Sequence, residues 1–235
     1  MSEQQERRKR LLQIGSAAAF LVIAGVLVLI VVSANDGSGG DTNLEDVGLV
    51  RNQLEGIPQR GTTLGEPRAK VTLFEFGDLQ CPVCKGFSEE IIPDLIDSKV
   101  RSGEAKIDFR NYTIISQESI PAGAAAIAAG EQGRGWNYIE LFYRNQGPEA
   151  SGYVTDAFMT EIAKGAGVKD IAAWNKDRRS AKVIGEVEAT TAEAQRLGFT
   201  GTPSFAASGP GTKGMESLGT PSSAGAIEEA IEGAG

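Results

Sequence analysis

VTLFEFGDLQCPVC, from Val71 to Cys84, decides how this chain is read. Its first half, Val71-Thr72-Leu73-Phe74-Glu75-Phe76, is apolar and β-prone without strict alternation, as in a strand buried on both faces of a covered sheet. Its second half holds the chain's two cysteines, Cys81 and Cys84, separated by Pro82 and Val83. Pro82 suits the first turn of a helix, and Cys84, Phe87, Ile91 and Leu95 repeat at the spacing of one inward stripe. Pro93 predicts a kink in that helix. A bridge across so short a ring stabilises little, since loop-closure entropy for roughly four residues is about 2 kcal/mol before strain. The pair is therefore better placed for thiol chemistry than for stapling. Cys81 is expected at the exposed amino end of the helix, where unpaired N–H groups and the helix dipole favour a thiolate. Cys84, one turn deeper, is the shielded resolving thiol. An inert bridge and half of a zinc site shared between two chains are the competing readings, but the chain has no other cysteine and no histidine to complete a zinc site. No metal site is expected.

Working outward, a second strand is expected over Ala105 to Tyr112, and a long helical stretch over about Ser119 to Leu197. Its apolar faces carry Ala124, Ala125, Ile127, Ala128, Trp136, Ile139, Leu141, Phe142, Phe158, Ile162, Val183 and Val187. Such a stretch is too long for a crossover loop, so it reads as a helical subdomain inserted at about 117–200 into an α/β sheet domain. Trp136, Tyr138, Phe142 and Tyr143 are read as core, and Lys176, Asp177, Arg178 and Arg179 as a solvated helix face. Gly201-Thr202-Pro203-Ser204-Phe205 re-enters the sheet, followed by a strand near Met215 to Leu218 and a helix over about Ser222 to Ile231.

At the amino end, Arg7, Arg8, Lys9 and Arg10 precede an uncharged run from Leu11 to Ser33. Roughly 20 apolar helical residues cross a hydrocarbon core about 30 Å thick, so 11–33 reads as a membrane anchor with residues 1–10 in the cytoplasm. A cleaved signal peptide ending at Val32-Ser33-Ala34 is the alternative. Both readings export the rest of the chain into a compartment that permits disulfides. Residues 34–63 read as a Gly/Ser tether and an N-terminal arm, and 64–235 as the folded domain. The net charge is −8, and residues 1–10 carry four basic and two acidic side chains, so the remainder carries −10. That balance argues against nucleic acid as a partner, and the missing histidines exclude Ser-His and Cys-His nucleophile pairs.

The strand leading into FGDLQCPVC, the helical insertion and the later GTPSF at 201–205 resemble the DsbA-like branch of the thioredoxin superfamily. The resemblance implies a thioredoxin-like fold and thiol-disulfide oxidoreductase activity. It further implies that Pro203 is cis and faces the dithiol, with Thr202 before it, and that Glu75, six residues before Cys81, is a buried acid serving proton transfer near Cys84. Thr202, Pro82 and Val83 are expected to contact substrate. Many members carry histidine between the cysteines; Val83 stands there in this chain and can donate nothing, so a less oxidising dithiol is expected. The family suggests cysteine-containing exported proteins as substrates and reoxidation by a quinone-linked membrane protein of the DsbB or vitamin-K-epoxide-reductase kind, with no bound cofactor. The reverse direction, as a reductase or isomerase, and a non-catalytic binding or chaperone module stay open.

Overall fold

The computed structural model describes residues 44–235. The basic segment 1–10, the anchor 11–33 and the first part of the tether lie outside the described residues. Among the described residues, no helix is long and apolar enough to cross a membrane.

Two parallel strands form the centre of the sheet: β3 (Val71–Gly77) and β4 (Ala105–Asn111), in register from Val71 opposite Ala105 to Gly77 opposite Asn111. Strand β5 (Ser204–Ser208) runs antiparallel on the other side of β3, and β6 (Glu216–Gly219) pairs with β5 through a bulge at Phe205 and Ala206. On the opposite edge, β1 (Gln59–Arg60) and β2 (Thr63–Leu64) form a tight hairpin that pairs with β4. The order is β1-β2-β4-β3-β5-β6. Successive side chains of a strand point to opposite faces, and that alternation divides the core in two. Val71, Leu73, Ala105, Ile107, Phe109, Phe205 and Ala207 belong to the larger cluster, with Cys84, Ile227 and Ile231. Phe74, Phe76 and Ala206 join a smaller one with Tyr112, Ala194 and Phe199.

Helix α1 (Val47–Leu54) precedes the hairpin and buries Val50 and Leu54 in the larger cluster. The folded unit thus includes α1, β1 and β2, a correction to its expected start near Leu64. The arm reads as linker because it is polar and turn-rich, yet Trp136 donates its indole N–H to the Thr62 carbonyl at 2.7 Å and takes the Gln59 amide oxygen on its backbone N–H. Helix α2 (Pro82–Glu90) follows β3. It ends at Ile91, and a short helix α3 (Ile92–Leu95) with Pro93 in its first turn continues into a π-helical turn at Ile96–Val100. The expected kink is therefore a break just before the proline.

Five helices make the insertion: α4 (Ser119–Gly130), α5 (Gly135–Arg144), α6 (Asp156–Gly165), α7 (Ile171–Asp177) and α8 (Ala181–Arg196). Thr155, Asp170 and Ser180 cap α6, α7 and α8 through side-chain oxygens that accept the N3 amide. Trp136, Tyr138, Phe142 and Tyr143 are buried. Arg178 corrects the reading of a solvated face: it is buried, stacks 4.9 Å over Trp174 and pairs with Asp156 at 2.7 Å. An amphipathic stem and a fork of donors let this arginine cover the indole while its charge is met by a carboxylate on α6. Helix α9 (Ala224–Ala234), capped by Ser223, closes the chain against β3, β5 and α3.

Candidate active site

Strand β3 ends at Gly77, where a Cβ would come within 2.6 Å of the buried Phe109 ring and 3.0 Å of the Tyr143 hydroxyl, so any larger residue would have to displace both. The next residue, Asp78, is buried and fully used. One carboxylate oxygen accepts the Gln80 backbone N–H at 2.9 Å; the other accepts those of Ile114 at 2.8 Å and Ile115 at 3.0 Å. Its carbonyl takes the Cys81 N–H and the Tyr143 hydroxyl. This cap fixes the turn between strand and helix and ties it to the loop after β4.

Cys81 is the N-cap of α2 in extended conformation, and its sulfur accepts the Cys84 backbone N–H at 3.4 Å. Its residue is only 4% exposed, a correction to the open position expected at a helix end. The Thr202 carbonyl lies 3.4 Å from Cys81 Sγ, and the Thr202–Pro203 peptide is cis. The segment from Gly201 to Pro203 thus roofs the sulfur that the helix presents. Both thiols are free. A hydrogen bond from the Cys84 thiol, aided by the Thr202 side chain and the Cys84 and Val83 N–H groups, pulls the Cys81 thiol down from 9.0 to about 6 against the cost of burial. The Cys84 thiol moves the other way, well above 9.0, because it is buried, donates to Cys81 and feels the charges of Cys81 and Glu75.

Glu75 points to the same sheet face as Leu73 and Val71, toward the larger cluster that contains both cysteines. Burial, reinforced by Glu140, raises its carboxyl to about 8. Val83 and Ile114 are 54% and 41% exposed, and Pro82 is exposed beside them, giving an apolar rim at the mouth of the dithiol. Among the described residues no three His, Cys, Asp or Glu side chains converge as a metal-binding group.

Four further residues shape the site without having been singled out in the sequence for it. Gln80 donates to Ser116 and Ser119 at 2.7 and 3.0 Å and accepts the Ala150 N–H at 3.0 Å. Gln146 donates to the carbonyls of Leu79 and Cys81. Tyr143 and Glu140 approach from α5. Only Gln80 carries a local signal, its place directly before Cys81; its partners are at least 36 residues away. The insertion is in this way hydrogen-bonded directly to the dithiol loop.

The family model described as thioredoxin matches residues 59–229. A probable disulfide bond formation protein D of Bacillus cereus is 28% identical over 150 residues, covering 63% of this chain and 69% of the relative. Among solved structures, oxidised BdbD from Bacillus subtilis superimposes with TM-score 0.64 at 21% identity, covering 75% of this chain and 96% of that one. Alpha-DsbA1 from Wolbachia pipientis does so with TM-score 0.63 at 18% identity, over 77% of this chain and 92% of that one. The two superpositions assign the thioredoxin-like α/β fold with a helical insertion.

Proposed function

We propose, from the premise that this chain belongs to the thioredoxin family and is a DsbA-like thiol-disulfide oxidoreductase, that it oxidises cysteine pairs in exported proteins through Cys81 and Cys84. The observation that carries this reading is the Cys81 sulfur at the N-cap of α2, accepting the Cys84 N–H at 3.4 Å and lying 3.4 Å from the Thr202 carbonyl of a cis Thr202–Pro203 peptide. A substrate thiolate attacks Cys81 Sγ, the Cys81–Cys84 bond breaks, and Cys84 leaves and takes a proton. A second substrate thiolate then attacks the sulfur bound to Cys81, and Cys81 departs as the thiolate its surroundings favour. The substrate has lost two electrons and the enzyme has gained them. Thr202 and Pro203 on one side, with Pro82 and Val83 on the other, contact the substrate segment beside the reacting sulfur. Glu75 supplies the proton that Cys84 takes up.

The apolar run at 11–33 supports a single-pass tether that places residues 34–235 outside the cytoplasm, where reoxidation falls to a quinone-linked membrane protein of the DsbB or vitamin-K-epoxide-reductase kind. Direction follows from potential against the compartment. The test is a Cys84→Ser variant incubated with reduced cysteine-containing protein: mixed disulfides through Cys81 are expected, and none would overturn the enzymatic reading. Alkylation of Cys81 should show a midpoint near pH 6. A dithiol potential near that of thioredoxin, about −270 mV, would reverse the direction to reductase.

A further inference from the structure

Beneath Cys84 the structure buries a second carboxyl for which dithiol exchange alone has no use. Glu140 on α5 is 1% exposed, and its Oε2 has no hydrogen-bond partner among the described residues. The same holds for Glu75 Oε1 and Ser88 Oγ, both on buried residues. Three packed elements carry these residues into one region of the core, where the Glu140 charge is felt at Glu75. Helix α2 presents Cys84 and Ser88 one turn apart on its inward side. Strand β3 presents Glu75 to the same cluster, and α5, packed on α2, presents Glu140 and, three residues on, Tyr143. As packing alone this arrangement is unfavourable, because a buried polar atom without a partner costs free energy that leucine at position 140 would not.

We propose that Glu140 and Glu75 form one proton-sharing pair serving Cys84, with the Ser88 hydroxyl linking Glu140 to the solvent side of α2. Glu140 is a positioning residue in this scheme, acting through Glu75, and the inference rests on the oxidoreductase reading above. When the Cys81–Cys84 bond opens, Cys84 leaves with the electron pair and takes a proton from the Glu75 carboxyl. Glu140 returns a proton to Glu75 and is itself reprotonated from water past Ser88 and the exposed Glu89. On reoxidation the proton of Cys84 leaves by the same route.

The charges around the pair fit that task. Burial raises Glu140 to about 7, opposed by the charge of Arg144 and assisted by that of Glu89. Arg144, whose charge lowers Glu140, also pairs with Asp46 at 3.2 Å. Burial also raises Glu75, to about 8, with the Glu140 charge reinforcing it; Cys84, Cys81, Asp78 and Tyr143 are the other ionisable groups at this side of the dithiol. Two carboxyls near neutrality pass a proton with little driving force in either direction.

The test compares the full chain with Glu140→Gln, Glu140→Leu and Glu75→Gln variants. Carbon-13 NMR of labelled glutamate follows the carboxyl titrations, and opening of the disulfide by dithiothreitol is timed from pH 5 to 9. Gln keeps the volume and neutral form of Glu140, so that variant should fold. With the neighbouring charge removed, the Glu75 midpoint should fall by about one unit, and the pH profile of disulfide opening should move with it. In Glu75→Gln, adding Glu140→Gln should change nothing further. An unmoved Glu75 titration in both position-140 variants, or a rate profile altered only in Glu140→Leu, would overturn the pair and leave Glu140 a packing residue. The titration does not depend on exchange, so failure of the wild-type disulfide to react with thiols counts against the oxidoreductase reading alone.

Discussion

Cys81 and Cys84 are separated by two residues, yet their thiols shift in opposite directions from an ordinary cysteine. The cause is depth: the N-cap sulfur collects N–H donors and a thiol, whereas the sulfur a turn below has lost its water. Glu75 extends the same argument to a carboxyl. Its native value near 8 stands above its ordinary 4.5, so the folded state holds this proton more tightly than the unfolded one. Stability on this account is fully present below about pH 4.5 and is lost as pH rises toward 8. Glu75→Gln removes that slope. The dithiol form of the variant should exceed the wild type by roughly 3–4 kcal/mol near pH 7–8 and by much less at pH 5, as measured by urea unfolding. Equal pH slopes in the two proteins would contradict a buried neutral Glu75.

At the scale of elements, the contact between the insertion and the sheet edge depends on glycine. The turn from α4 to α5 lies against the β1–β2 hairpin so closely that a Cβ on Gly135 would sit 2.3 Å from the Gly61 carbonyl oxygen, and one on Gly130 at 2.6 Å from the same atom. Backbone cannot yield there as a flexible side chain could. Gly135→Ala should cost about 1–3 kcal/mol and lower the melting temperature by about 2–10 °C; calorimetry checks it. The substitution should leave Cys81 alkylation unchanged, because the hairpin touches the dithiol only through the core. Gln80 and Gln146 link the insertion to the cysteine loop itself, so the two contacts of the insertion, one with the sheet edge and one with the site, are separable by mutation.

For the molecule as a whole, α1 and the hairpin bury Val50, Leu54 and Leu64 in the main core and pair with β4. Deleting 44–62 should cost at least about 3 kcal/mol, since burying two such side chains contributes about 1.5–3 kcal/mol each; a melting temperature unchanged from the full chain would contradict their place in the folded unit. The strand, the turn and the cysteine helix were legible in VTLFEFGDLQCPVC, because a short apolar β-prone run, a proline at a helix start and two thiols in a short ring are local properties. The helical character of 119–197 was legible for the same reason. What the residues' own pattern left open is what distant segments decide together; the burial of Glu75 and the placing of Thr202 and Pro203 against the dithiol were expected from the family resemblance alone. The side of β3 that faces Cys84, and so the burial of Glu75, follows from which face the helices cover. The roof over Cys81 comes from Thr202, 121 residues away, and the charge beside Glu75 from Glu140 on α5. Arg178 lost its water to Trp174 and Asp156. Periodicity specifies each element and its two faces, whereas solvation and electrostatic neighbours exist only once the faces have met, which is why the thiol pair could be read from the chain and its acidity only from the fold.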